Sequence, residues 1–233
     1  MTSVYLHPAV AEAFPDTRIA LVTARGIRGA EPWPETVAVI ARLERELAEG
    51  VWRPADEGDS RIGVWHAAYR AFGTNPRRVR PSVDALGRRL AKQGVLPRIN
   101  SAVDSYNAVS VRHGLPAGAF DLAAVDGEVV IGFADGGEEF TPLGEPEVVE
   151  RPKAGEVIYR DAAGVLTRHW NHRDAHRTRV TEHSVEALFL LETLQPDEGQ
   201  LACAAGELAG LLAPHSAGVA VRYLDPGQAR VEV

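Results

Sequence analysis

Apolar residues recur at helical spacing in four stretches of the first half of the chain, which otherwise contains a strand-like run over residues 18–23. In the longest stretch the apolar stripe repeats every three or four residues and stops at Gly50. The predicted helices are residues 33–49, residues 62–72, a helix that Ser82 caps, and a weaker one over residues 103–111. The first half is therefore expected to be mainly helical.

Strand-like patterns dominate the second half. Residues 127–133 predict a strand that turns at Asp135-Gly-Gly137, a hairpin signal, and residues 157–170 predict a second hairpin. The apolar run 185–194 fits either a helix or a strand. A helix over 201–212 and a strand over 218–224 close the chain.

These elements predict an α+β fold with a central antiparallel or mixed sheet flanked by helices. No internal repeat or low-complexity linker divides the sequence, so residues 1–233 are expected to form a single compact domain. This length is enough to bury a substantial hydrophobic core.

Composition is that of an ordinary globular protein, with 45% hydrophobic and 24% charged residues. No run approaches the roughly 20 apolar residues that cross a membrane, and no secretory signal is recognised. A lone cysteine, Cys203, allows no internal disulfide, and its alanine neighbours predict a buried, inert thiol. We therefore expect a cytoplasmic protein that does not engage a membrane.

The net charge of −7 is unevenly distributed. Residues 61–98 contain nine basic residues and one acid, Asp84, whereas residues 121–150 contain nine acids and no lysine or arginine. The basic segment could dock a phosphate backbone, and the acidic segment could receive a cationic group. The alternative is that both segments are ordinary solvated surface.

Motifs for several common chemistries are absent from the sequence. There is no Gly-x-Ser-x-Gly nucleophile motif and no glycine-rich phosphate loop, and no cofactor is predicted. Four histidines, His169, His172, His176 and His183, alternate with arginines. They could ligate zinc, but no carboxylate or thiol completes a known spacing, and the arginines would repel a cation. A strip facing solvent or RNA is the preferred interpretation, and no metal is predicted.

Glu138 and Glu139 follow a Gly-Gly turn and directly precede Phe140. Inside a pocket, such carboxylates would accept hydrogen bonds from an ammonium group or a phenol. On an exposed hairpin end they would only be solvated. Both are candidate ligand-binding residues, and both interpretations stay open.

Several motifs of the middle segment occur in a specific order. Asn100-Ser-Ala-Val-Asp-Ser-Tyr-Asn-Ala-Val109 is followed by Leu115-Pro-Ala-Gly-Ala-Phe-Asp121. Phe72–Pro76, Arg80–Ser82 and Arg168–Asn171 add three shorter segments. Together they resemble the B3/B4 domain of the phenylalanyl-tRNA synthetase beta subunit and its free-standing relatives, most strongly over residues 62–191. The chain departs from that family at Gly118, where the family has a pocket histidine.

The resemblance implies a task as well as a B3/B4-like fold. In the synthetase this domain removes wrongly attached amino acid, chiefly tyrosine, from tRNA by hydrolysing the ester. A chain that contains this domain without the synthetase's catalytic module would act in trans, as an editing hydrolase on the aminoacylated 3′ end of tRNA. No DNA partner is expected. The alternative is a module that binds tRNA, an amino acid or a protein without hydrolysis.

The resemblance also suggests site residues. Glu138 or Glu139 would recognise the acyl group, Asp104 and Asn107 would shape the pocket, and Gly118 would open it. For Asp104 and Asn107, helix capping and turn formation are the alternative roles. The expected phosphate-binding residues are Arg77, Arg78, Arg80, Arg88 and Arg89.

Overall fold

The computed structural model describes residues 2–196 and 199–233. The strands are β1 (Ser3–Leu6), β2 (Arg18–Arg25), β3 (Ala117–Asp121), β4 (Val129–Phe133), β5 (Val157–Asp161), β6 (Gly164–Arg168), β7 (Arg173–Asp174), β8 (Glu186–Thr193), β9 (Gly218–Leu224) and β10 (Arg230–Glu232). The helices are α1 (Pro8–Ala13), α2 (Pro34–Ala48), α3 (Ser60–Ala71), α4 (Ser82–Gln93), α5 (Ser101–His113) and α6 (Gln200–Leu212), with short 3₁₀ helices at Leu122–Ala124 and Ala213–His215. The predicted α+β class is confirmed.

The strands of the described residues form two sheets. A six-stranded mixed sheet has the order β10-β1-β4-β5-β6-β7, in which β1 and β4 are parallel and the other pairs are antiparallel. A four-stranded antiparallel sheet has the order β3-β8-β2-β9. The sheet that the sequence predicts is therefore split in two.

The molecule is layered because both faces of the four-stranded sheet are apolar. On one face, Leu21 of β2 and Leu190 of β8 belong to the same buried cluster as Ile131 of the six-stranded sheet. On the other face, Val22 and Phe189 pack with residues of α5 and α6. A strand buried on both faces needs apolar residues at successive positions, which explains the continuous apolar runs of β2 and β8.

The four predicted helices of the first half are present as α2 to α5, but the capping role expected for Ser82 is wrong. Pro81 is the N-cap residue of α4, and no side chain caps that helix. Ser82 is the first helical residue, and its Oγ has no hydrogen-bond partner among the described residues. Asn100 does cap α5, because its Oδ1 accepts a hydrogen bond from the Val103 amide at 3.0 Å.

The ambiguous run 185–194 forms β8, which is held between β3 and β2. The hairpin expected at Asp135–Gly137 is wrong: β4 pairs antiparallel with β5, but a long connection separates the two strands. None of the helices in the described parts of the chain is long and apolar enough to span a membrane.

Candidate functional site

Residues of both sheets, of α4 and of α5 line a cavity of about 310 Å³. Much of its wall is apolar or aromatic, with Leu86, Tyr106, Phe120, Trp170 and Leu190 among the lining residues. The polar side chains on the wall include Asn107, Tyr159, Thr167, Asn171, His172, Asp174 and Glu192. An apolar cavity of this size with a few converging polar groups is typical of a small-molecule site.

Glu192 is a buried acid on this wall. It lies on the same face of β8 as Leu190, because alternate residues of a strand share a face. Its Oε1 accepts a hydrogen bond from the Tyr159 hydroxyl, and its Oε2 accepts one from Asn171 Nδ2 at 2.7 Å. Burial raises the pKa of Glu192 to about 7, so near neutral pH the carboxyl group interconverts between its charged and neutral forms.

Asp174 of β7 is the second acid of the cavity. Its Oδ1 accepts a hydrogen bond from the Thr167 hydroxyl at 2.8 Å, and burial raises its pKa to about 6. Gly118 of β3 lies opposite: a Cβ atom at that position would be 3.7 Å from Asp174 Oδ2. The missing side chain therefore leaves the space in front of this carboxylate open.

A bend with left-handed backbone angles between β6 and β7 positions the side-chain amide of Asn171, which binds Glu192. The φ angles of His169 and Trp170 are 47° and 67°, a region that residues other than glycine rarely adopt. The buried Trp170 ring packs edge-on against Trp65, with centroids 5.3 Å apart. This packing holds the bend, and the next residue, Asn171, then bonds Glu192. Such backbone strain is often found at functional sites.

His172 supplies a proton acceptor to the same cavity. Its Nδ1 lies 2.7 Å from the carbonyl oxygen of Arg80. A carbonyl only accepts, so Nδ1 carries the proton and the neutral ring keeps its lone pair on Nε2. Burial lowers the pKa of His172, which keeps the ring neutral at neutral pH.

Two of the expected pocket residues, Asn107 and Gly118, line the cavity. Asp104 does not: it lies on a separate surface groove, where its Oδ1 accepts a hydrogen bond from the Ile99 amide at 2.8 Å. That contact holds the chain that enters α5, which agrees with the alternative role of turn formation.

Glu138 and Glu139 are not among the residues that line the cavity, and this corrects the expectation that they lie in a pocket. The carboxylate of Glu138 accepts hydrogen bonds from the amides of Asp135 and Gly136, both at 2.9 Å. Glu139 pairs with Arg151 at 3.2 Å, and its side chain is 67% exposed. The physical reason is local: in the connection after β4, the Glu138 carboxylate is used by the backbone amides of its own turn, and Glu139 is left at the surface.

Two of the five expected phosphate-binding arginines are already held by acids. Arg80 Nη1 and Arg88 Nε each lie 2.8 Å from the buried carboxylate of Asp84, and both arginines also contact Glu57. His66 Nε2 lies 3.0 Å from the same Asp84 carboxylate. This network ties α3 to α4, so Arg80 and Arg88 have a structural role whatever else they bind.

The other three arginines are exposed. Arg77 and Arg78 have no side-chain hydrogen bond or ion pair within the described ranges, and Arg89 contacts Gln93 at 3.1 Å. Arg89 also lines the cavity. A positive charge therefore stands at the cavity itself, with two more on the loop before α4.

The candidate metal site does not form in the described part of the chain, where no three His, Cys, Asp or Glu side chains are grouped to hold an ion. His169 bonds Thr74 Oγ1 at 2.9 Å, whereas the His183 side chain is 84% exposed. Cys203 is exposed, not buried as expected, because its position falls on the outer face of α6.

Sequence reasoning missed both acids of the cavity. Glu192 had a usable signal, since it is a charged residue on the inward face of the apolar strand Glu186–Thr193. A carboxylate at such a position must be buried and bound by other polar groups. Asp174 had no comparable signal, because β7 is only two residues long.

Residues 64–200 match the B3/4 domain family model, and every residue that lines the cavity falls inside this range. The chain belongs to the B3/4 domain family. This B3/4 domain protein is 37% identical over 101 residues to the phenylalanine–tRNA ligase beta subunit of Nocardia farcinica. The predicted resemblance to the synthetase beta subunit is thereby confirmed.

The B3/4 domain protein spans only a part of these relatives. The match to the ligase subunit covers 43% of this chain and 12% of that subunit. An N-terminal fragment of the phenylalanyl-tRNA synthetase beta subunit from Pyrococcus horikoshii is 15% identical, with a TM-score of 0.48, covering 95% of this chain and 50% of the fragment.

Proposed function

We propose that this B3/4 domain protein hydrolyses aminoacyl-tRNA in trans and so removes wrongly attached amino acids. The observation that carries the proposal is the cavity, whose wall combines Asn107 and Gly118 with the buried Glu192, the partly buried Asp174 and a neutral histidine. Membership of a family whose curated relative is a phenylalanine–tRNA ligase subunit supports a tRNA-related substrate. A substrate of this kind also implies a cytoplasmic protein.

The proposed chemistry needs no covalent intermediate. Water attacks the carbonyl carbon of the ester, the bond to the ribose oxygen breaks, and the products are the free amino acid and a tRNA with its hydroxyl restored. His172 Nε2 accepts a proton from the attacking water and then donates it to the ribose oxygen as that oxygen leaves, which returns the histidine to its neutral form. An aminoacyl ester is already activated, so holding the acyl group and the water in place supplies much of the remaining rate enhancement.

Each group of the site has a proposed role. Glu192 and Asp174 contact the acyl group, and the Asn107 amide, which forms no side-chain hydrogen bond within the described residues, binds it or the ribose. Arg89 binds a phosphate beside the cavity, and Arg77 and Arg78 bind phosphates further along the RNA.

The test is deacylation of a panel of mischarged tRNAs by the purified protein. We expect release above spontaneous hydrolysis for at least one acyl group. His172→Ala should lower that rate about 100-fold, the usual contribution of a general base. His183→Ala is the matched control and should leave the rate unchanged, since this exposed side chain is not among the cavity-lining residues.

Two outcomes would count against the proposal in different ways. No release for any acyl group would exclude the hydrolase and, with tRNA binding retained, would favour the binding module. A His172→Ala variant that folds and deacylates at the wild-type rate would remove only the role given to His172.

A further inference from the structure

We infer that Asp174 is an anionic subsite of the cavity and binds an ammonium group of the ligand. The inference rests on the proposed function and deepens it by naming the chemical class that the cavity selects. That class is an acyl group with a protonated amine, either the α-ammonium or one on the side chain.

The first argument is that Asp174 lacks the counter-charge that three other enclosed acids of this protein have. Asp84 binds Arg80 and Arg88, Glu156 binds Arg168, and Asp161 binds Arg177. Asp174 forms no ion pair within the described residues, and Thr167 donates its only side-chain hydrogen bond there. An enclosed carboxylate without a cation is costly, and a cationic ligand would offset that cost.

The basic groups nearest in the cavity wall are engaged elsewhere. Arg173 binds Glu145 at 2.5 Å and the Leu143 carbonyl at 3.0 Å, and His172 donates to the Arg80 carbonyl. Arg89 contacts Gln93. None of these side chains neutralises Asp174, so its free oxygen remains available to a ligand.

Glu192 is less suited to the same role, because both of its oxygens already accept hydrogen bonds from Tyr159 and Asn171. Asp174 uses only Oδ1, and its Oδ2 faces the space that Gly118 leaves open. The aromatic rings of Tyr106 and Trp170 line the same cavity and are favourable neighbours for a cation.

Four non-hydrolysable amides of 3′-amino-3′-deoxyadenosine test the inference. Their acyl groups share one six-carbon chain: lysyl carries both ammonium groups, norleucyl only the α-ammonium, 6-aminohexanoyl only the terminal one, and hexanoyl none. By titration calorimetry at least one singly charged amide should bind about tenfold more tightly than hexanoyl, as expected for a charged hydrogen bond. Which one does so identifies the source of the ammonium.

Asp174→Asn should abolish this preference, so that the charged amides bind no more tightly than the hexanoyl amide. Glu186→Gln is the matched control, an exposed acid on β8, and should behave like the wild type. If Asp174→Asn does not fold, Gly118→Ala takes its place and should shrink the preference, since its Cβ narrows the approach to Oδ2.

The inference is overturned if no amide binds, if hexanoyl binds as tightly as the charged amides, or if the preference survives in Asp174→Asn. Where Asp174→Asn does not fold, a preference that is undiminished in Gly118→Ala overturns it. These results are separate from the failure of the proposed function. If the preference depends on Asp174 but no mischarged tRNA is hydrolysed, only the proposed hydrolase activity is contradicted. If mischarged tRNA is hydrolysed but the preference is absent, only the ammonium subsite is contradicted.

Discussion

A buried acid without a cation changes how stability depends on pH. Burial raises the pKa of Glu192 to about 7 and that of Asp174 to about 6, above their ordinary values of 4.5 and 3.8. The folded state therefore binds these protons more tightly than the unfolded state. The stabilisation they give is fully present below their ordinary pKa values and is lost as the pH rises through 6 and 7.

Glu192→Gln is expected to remove part of this pH dependence. Between pH 5 and pH 8 the wild type should lose on the order of 2 kcal/mol of unfolding free energy through Glu192, and the variant should not. Urea unfolding at the two pH values measures the difference. The acids with lowered pKa, among them Asp84 and Glu156, act in the opposite sense but are common to both proteins.

Glu186→Gln is the control, because Glu186 lies on the same strand and is exposed. It should keep the wild-type dependence on pH. A Glu192→Gln protein whose stability changes with pH as much as that of the wild type would contradict the assignment of a raised pKa to Glu192.

The resemblance to the B3/B4 domain pointed to Asn107 and Gly118, which line the cavity, but not to the acids beside them. Glu138 and Glu139 drew attention because they follow a glycine turn, a feature visible in a few consecutive residues. Glu192 comes to the cavity through the pairing of β8 with β3, in which Gly118 lies opposite Leu190. That pairing joins residues distant in the sequence, so a local pattern does not reveal it.

At the scale of elements, the N-terminal ends of α4 and α5 differ in whether a side chain accepts a hydrogen bond from the first backbone amides of the helix. Asn100 accepts a hydrogen bond from the Val103 amide and donates one to the Val180 carbonyl, whereas Ser82 makes no side-chain hydrogen bond in the described structure. Asn100→Ala should therefore cost about 1 kcal/mol of unfolding free energy, and Ser82→Ala less than about 0.5 kcal/mol. Thermal or urea unfolding of the two variants compares them directly. Equal losses would contradict the assigned cap.

Individual helices and several strands were predictable from the sequence, but the pairing of the strands was not, for a physical reason. A helix satisfies its hydrogen bonds within itself, so the spacing of Ile40 and Leu43 on one face already predicts α2. A strand needs a partner from elsewhere. Strand β1 is four residues long and pairs with β4 and β10, which lie far away in the chain. The division into two sheets depends on such pairings and is not written in any single segment.

At the scale of the molecule, the net charge of −7 hides a basic surface whose arginines are of two kinds. Arg80 and Arg88 are neutralised by Asp84 and Glu57, so their charges contribute little to RNA binding. Arg77, Arg78 and Arg89 have no acid partner in the described residues and carry the proposed phosphate contacts. The logarithm of the affinity for tRNA should then fall linearly with the logarithm of the salt concentration. The steepness of that fall should increase with the number of phosphates that these three arginines neutralise.

The triple variant Arg77→Ala/Arg78→Ala/Arg89→Ala should weaken tRNA binding. It should also make the fall of log affinity with log salt shallower, with a slope smaller in magnitude by about 2 to 3, near one for each lost phosphate contact. The control removes the same charge from three exposed arginines on β2, β9 and β10, which are Arg25, Arg222 and Arg230. It should leave the slope nearly unchanged. Counterions are released from the RNA only where an arginine or lysine contacts a phosphate, and a change in net charge elsewhere on the protein does not release them. Filter binding of tRNA over a range of salt concentrations gives both slopes. Equal slopes for the two triple variants would mean that RNA does not dock beside α4, and the cavity would then have to receive its ligand without the help of these arginines.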